Sequence, residues 1–104
     1  MKHTVTLVTC PTVAVAKRLG RALVDEKLAA CVNIVPRIVS IYRWAGKRCE
    51  EAETLLVIKS RAARTAALSR RVKEMHPYDV PEILQLPIVS GSRDYLRWID
   101  EGTR

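Results

Sequence analysis

Five side chains carry the imidazole or thiol chemistry that copper or zinc asks of a protein: His3, His76, Cys10, Cys31 and Cys49. A metal site needs such groups to converge, and no H-x-x-x-H or C-x-x-C spacing brings any two of them together on one element. Cys31, between Ala30 and Val32 at the start of a β-branched run, reads as a small core hydrophobe. His76 is the metal candidate that the sequence retains; its competing role is to break a helix and hydrogen-bond within the loop that it begins. Catalytic machinery of the familiar kinds is missing. There is no G-x-S-x-G, no glycine-rich phosphate loop among four glycines, and no carboxylate pair with a histidine. An acylphosphatase-type site would want an arginine and an asparagine in set places, and the single asparagine, Asn33, lies inside a long strand. The expectation is a protein that is not an enzyme.

The elements that must position these residues follow from hydrophobic periodicity. Residues 4–9 alternate as a strand that stops at Cys10-Pro11. Thr12 can cap a helix with Val15, Leu19, Ala22 and Leu23 on one side, ending near Lys27. Residues 31–44 are β-branched throughout and predict a long second strand. Ala45-Gly46-Lys47 turns the chain into a return strand over residues 53–59, and residues 61–75 read as a helix. The loop His76-Pro77-Tyr78-Asp79-Val80-Pro81 cannot be helical, because its prolines hold it and the residues before them extended. A fourth strand covers residues 83–89, and Ser92 caps a short closing helix with Tyr95, Leu96, Trp98 and Ile99. The order predicts an α+β, ferredoxin-like β-α-β-β-α-β open-faced sandwich with an extra C-terminal helix and a long hairpin between strands two and three. Proline checks this independently, since it is confined to edges and bulges. Pro36 and Pro87 fall on the two strands that this topology places at the edges.

At 104 residues the chain has room for a single domain over 1–104, and 48% hydrophobic with 28% charged residues is an ordinary globular mixture. One face of a ferredoxin-like sheet carries no helix and should turn polar if water covers it. Here Leu55, Leu56, Val57 and Ile58 run apolar on both faces, as do the sets Ile34, Ile38, Tyr42, Trp44 and Val35, Val39, Ile41. The long strand would reach roughly 45 Å at about 3.3 Å per residue, beyond the body of such a domain. A symmetric oligomer that covers the open face and exchanges edges is expected. The net charge of +7 raises nucleic acid as a partner. An RNA-binding module of this topology stacks bases on aromatics of its central strands, and those strands offer Val5, Leu7, Leu55 and Val57 instead. Neither nucleic acid nor membrane is expected as a partner; the basic residues gather on the second helix, where a solvated face suffices. The longest apolar runs, residues 28–32 and 55–58, fall far short of the roughly 20 that span a bilayer. Three widely spaced cysteines and a start without an export signal suit a cytoplasmic protein.

The run Glu26-Lys27-Leu28-Ala29-Ala30-Cys31-Val32-Asn33-Ile34, the hairpin Tyr42-Arg43-Trp44-Ala45-Gly46-Lys47, the strand around Glu53 with Lys59, and His76-Pro77-Tyr78-Asp79-Val80-Pro81-Glu82-Ile83 together resemble the CutA divalent-ion tolerance proteins, as does Tyr95-Leu96-Arg97-Trp98. The resemblance covers nearly the whole chain in order. It implies a homotrimer similar in architecture to the PII signalling proteins, a response to divalent metals, notably copper, and no settled reaction. It also implies a ligand site in a cleft between subunits built from Trp44, Lys47, Glu53, Lys59, Tyr78, Tyr95 and Trp98, which could hold a small anion or a metal-carrying ligand. The competing reading makes the aromatics interface anchors and pairs Lys59 with Glu53. In family members with a proposed metal site, a first-strand thiol and a second histidine beside the His-Pro-Tyr histidine are of interest; the matching positions here are Val8 and Met75, which weakens a transferred copper site.

Overall fold

Alternation sorts the first strand's side chains onto two faces, and the rest of the molecule is built on that division. A computed structural model describes residues 2–104. In β1 (His3–Cys10), Thr4, Thr6, Val8 and Cys10 are buried on one face, while His3, Val5 and Leu7 remain half-exposed on the other. Thr12 caps α1 (Val13–Asp25) as expected, its Oγ1 accepting from the Val15 N–H at 3.2 Å. The helix stops two residues before Lys27. Lys27 sits at φ 59°, and the Lys27 and Leu28 N–H groups reach back to the carbonyls of Val24 and Leu23 at 3.1 and 2.9 Å. This is a Schellman ending, closed by apolar contact between buried Leu23 and Leu28 without the usual glycine.

The long strand β2 (Cys31–Trp44) pairs with β3 (Lys47–Arg61), which begins six residues earlier than the periodicity suggested because the hairpin ladder continues to the turn. Ala45 and Gly46 both take positive φ, 52° and 78°, the geometry of a tight two-residue hairpin. A short 3-10 turn (Ala62–Arg64) occupies the expected start of the second helix, α2 (Thr65–Met75). The chain closes with β4 (Ile83–Pro87) and α3 (Arg93–Gly102), the latter capped by Ser92. Sheet order is β2-β3-β1-β4, antiparallel throughout, so Pro36 and Pro87 lie on edge strands. This is the ferredoxin-like sandwich that the sequence predicts.

Helices α1 and α2 seal one face. Leu19, Leu23, Leu56, Ile58, Leu68 and Val72 are fully buried there with Val8 and Cys10, and each large aliphatic contributes about 1.5–3 kcal/mol by leaving water. On the other face Val5, Leu7, Leu55 and Val57 are only half covered, and Val35, Leu84 and Leu86 are exposed. Helix α3 lies over one end of that face, where the His3 ring bonds the Asp100 carboxylate at 2.8 Å and Ile99 is buried. Arg61 and Arg64 anchor its last turn through the Thr103 hydroxyl and carbonyl at 2.6–2.8 Å.

One irregularity decides which side chains share a face. Val35 pairs with Leu55 but Ile38 pairs with Glu53, so Pro36 and Arg37 together oppose the single residue Thr54. This bulge, with Arg37 at φ 60°, reverses the parity of the strand. Ile34 therefore turns toward the helices, while Ile38, Ser40, Tyr42 and Trp44 join Val35 on the open side. The grouping of Ile34 with Tyr42 and Trp44 is corrected accordingly. Beyond the bulge the hairpin projects, giving the molecule extents of 44 × 25 × 22 Å.

Candidate ligand-binding groove

Where the hairpin leaves the sheet, its open side faces the loop after α2, and a groove of about 670 Å³ lies between them. Thr9, Ser40, Tyr42, Trp44, Glu51 and Glu53 form its floor and hairpin wall. Tyr78, Asp79, Val80 and Glu82 supply the loop wall. Glu51 and Glu53 reach it together because residues two apart on a strand point the same way, and Tyr42 and Trp44 do so for the same reason. Glu53 is 8% exposed, and the Tyr78 hydroxyl donates to its Oε2 at 3.1 Å. Burial, then the hydrogen bond and charge of Glu53, push the Tyr78 hydroxyl up to about 12. The Tyr42 hydroxyl is raised as well, by burial and then by Glu51. Both phenols therefore stay protonated as hydrogen-bond donors at neutral pH.

His76 stands behind this groove. Its ring is 8% exposed, with Nε2 2.7 Å from the Thr9 carbonyl and Nδ1 3.1 Å from the Tyr78 N–H. A carbonyl only accepts and an amide N–H only donates, so Nε2 carries the proton and Nδ1 is bare. Both nitrogens are thus engaged in seating the loop on β1, and the ring stacks at a tilt on Tyr78 with centroids 4.8 Å apart. Val8 is fully buried and Met75 packs against the core. Among the described residues no three His, Cys, Asp or Glu side chains converge to hold a metal ion. A metal bound at His76 would have to displace one of its two hydrogen bonds, so the residues of one chain do not fit a ready-made copper or zinc centre.

Within one chain, the seven residues expected to meet in a cleft between subunits fall into two places. Trp44, Glu53 and Tyr78 line the groove, and Lys47 stands at the hairpin tip opposite Trp44. Lys59, Tyr95 and Trp98 belong to the other end of the open face. There the Lys59 ammonium lies 4.0 Å from the Cys31 sulfur, burial and Cys31 raise the Tyr95 hydroxyl, and the Tyr95 and Trp98 rings are 5.4 Å apart. Lys59 does not pair with Glu53: three intervals of two residues on one strand separate them by roughly 20 Å. Among the groove residues that escaped the sequence reading are Tyr42, Glu51, Asp79 and Glu82. Strand alternation from Trp44 and Glu53 would have found the first two; the loop residues needed the fold.

The fold is that of a ferredoxin-like open-faced sandwich, distinguished by a projecting hairpin with a carboxylate-rich groove at its root. The family model "CutA1 divalent ion tolerance protein" matches residues 4–102, and the chain belongs to that family. It is 52% identical over 99 residues to the divalent-cation tolerance protein CutA of Thermus thermophilus, covering 95% of this chain and 96% of that one. It is 46% identical to human protein CutA over 96 residues, 92% of this chain but 54% of the human one, so it spans about half the length of that relative. Among solved structures, CutA1 from Oryza sativa superposes with a TM-score of 0.96 at 48% identity, covering 100% of this chain and 95% of that one. The periplasmic divalent cation tolerance protein CutA from Archaeoglobus fulgidus gives 0.95 at 38% identity, covering 98% and 99%.

Proposed function

We propose that the protein is a cytoplasmic homotrimer, one CutA-like domain per chain, that responds to divalent metal by binding a small ligand or the metal itself in clefts between subunits, without catalysis of its own. The observation that carries this reading is the position of the groove. It opens on the same side of the sheet as the uncovered Val35, Leu84 and Leu86, so a second copy seated on that apolar face also brings a wall to the groove. Exposed Trp98 and Tyr95 at the far end extend the same surface. Membership of a divalent-ion tolerance family supports the link to metal, with copper the first candidate, and three free cysteines suit a reducing compartment. Among the described residues no helix is long and apolar enough to cross a membrane. Signalling of the PII kind, in which a trimer reads a small molecule through its clefts, is the form of this reading that the groove favours over storage of bare metal, because His76 is already engaged on both nitrogens.

Sedimentation equilibrium tests the assembly: a species of three chains is expected, and a monomer at micromolar concentration removes the clefts. Titration of copper(I), copper(II) and zinc into the same protein, with His76→Ala alongside, tests direct binding. Binding no tighter than millimolar, or unaltered by the substitution, removes His76 as a ligand.

A further inference from the structure

Charge in this molecule is sorted by face. The chain carries +7 overall, yet the groove on the open side of the sheet gathers Glu51, Glu53, Asp79 and Glu82. The opposite side is basic: Lys17, Arg18 and Arg21 of α1 and Arg70 and Lys73 of α2 are all exposed. Arg18 joins the two helices, its guanidinium donating to the Met75 carbonyl at 3.4 Å. Acids offset this surface only in part. Glu26 and Glu74 are both taken up by Arg71, at 3.0 and 3.3 Å, which leaves Asp25 as the remaining carboxylate of the two helices and their ends. The helix layer also lies across the sheet from the uncovered Val35, Leu84 and Leu86, so a second copy seated on that apolar face leaves the basic surface in water.

The composition of this surface discriminates between kinds of polyanion. Neither helix contains Phe, Tyr or Trp, so unpaired bases have nothing to stack on and a single strand gains little here. Exposed apolar residues beside the cations are small, such as Ala14 and Ala66, where a protein partner would anchor on an aromatic or large aliphatic centre. What is left is polar and positive with no group that reads a base, the character of a surface that meets phosphate backbone. Lys17 and Arg21 stand one turn apart, about 6 Å along the helix, and Arg70 and Lys73 about 4.5 Å apart. With 13 residues, α1 is about 20 Å long, the length of about six base pairs at 3.4 Å each. We infer that the layer of α1 and α2 binds the backbone of double-stranded nucleic acid without reading its sequence, with Lys17, Arg18, Arg21, Arg70 and Lys73 as the phosphate contacts. The sequence argument against nucleic acid concerned bases stacked on the central strands, and this surface asks for none. The inference goes beyond the metal-linked reading and uses the opposite side of the molecule.

Fluorescence anisotropy of a labelled DNA duplex titrated with the full chain tests this. A second duplex of unrelated sequence, single-stranded oligodeoxythymidine and polyglutamate serve as comparators. Expected is saturable binding at low salt, equal within about twofold for the two duplexes and weaker for the single strand and the polyacid. Four to five phosphate contacts give log K a slope of about −4 on log salt, hence a loss on the order of a hundredfold between about 50 and 200 mM. Lys17→Glu with Arg21→Glu, and Arg70→Glu with Lys73→Glu, change exposed side chains and keep the fold. Each pair is expected to weaken binding at least tenfold and to flatten the slope by about two. Arg43→Glu with Arg48→Glu, exposed on the hairpin, is expected to leave binding within about threefold. No saturable binding of duplex at the lower salt, a slope near zero, full binding by both helix variants, or a loss confined to the hairpin variant overturns the assignment. Tighter binding of the single strand or of polyglutamate also overturns it, in favour of a stacking surface or an acidic protein. A three-chain species that ignores duplex sinks this inference alone, whereas a monomer that binds it sinks the proposed assembly and leaves the basic surface's role standing.

Discussion

Thr6 sits in the central strand β1 with its side chain wholly buried under the helices, and its hydroxyl oxygen has no hydrogen-bond partner. Valine has nearly the same shape and the same preference for strands, so Thr6→Val replaces an unsatisfied hydroxyl by a methyl and changes little else. Burying a hydroxyl without a partner costs about 1–3 kcal/mol by protein mutational measures. Thr6→Val is therefore expected to stabilise the fold by about 1 kcal/mol, taking the lower end because the denatured chain retains some structure. For a domain of this size that corresponds to roughly 4–8 °C in Tm. The assay is urea unfolding at one fixed protein concentration, since any oligomer makes stability depend on it; the midpoint should rise with an unchanged slope. Thr4, two residues away on the same face, shares the missing partner but is slightly exposed, so Thr4→Val should gain less. A loss of stability in Thr6→Val would refute the reasoning, by showing that the hydroxyl is hydrogen-bonded in solution through an internal water.

Asp100 gives a pH dependence. Desolvation at the helix edge raises its carboxyl, but the His3 hydrogen bond, with the charges of Lys2, His3 and Arg61, outweighs this and leaves it below the ordinary value of 3.8. Its contribution is present above that ordinary value and is lost as pH falls through the lower folded one, so thermal melts of the protein and of Asp100→Asn should differ at pH 6 and converge at the acid end of a series down to pH 2; curves that stay parallel contradict this. Cys10 is wholly buried and its thiol is pushed up to about 11 by burial and then by the charge of Glu53, so alkylation at pH 8 should modify partly exposed Cys49 first and Cys10 only as fast as the protein unfolds. Mass spectrometry of the labelled peptides gives the order, and early labelling of Cys10 would show that β1 is not sealed. At the hairpin, Ala45 holds φ 52°, a conformation that asparagine tolerates better; Ala45→Asn should add about 0.5–1 kcal/mol, and a lower urea midpoint would show that the turn is not of this type in solution.

The order of elements was legible in the sequence because alternation, helical periodicity and the caps at Thr12 and Ser92 are local. So were the edge strands, because Pro36 and Pro87 report on ladder hydrogen bonds wherever they stand. The apolar character of both faces could be read from Leu55, Leu56, Val57 and Ile58 without any coordinates. The side on which each hairpin residue lies could not, because one extra residue at Pro36 and Arg37 reverses the parity of everything beyond it, and a proline in a strand marks an edge or a bulge without saying which. The turn register, with Trp44 opposite Lys47, puts Tyr42 and Trp44 on the side of Glu51 and Glu53, the reversal puts them on the side of Val35 rather than Ile34, and the loop after α2 completes the groove by closing over it through His76 and Thr9. Sequence could nominate Glu53 and Tyr78 for a site, and a strand over residues 53–59 already sets Lys59 roughly 20 Å from Glu53; the hydrogen bond of Glu53 with Tyr78 across 25 positions exists only once the loop after α2 is seated beside β1 and β3.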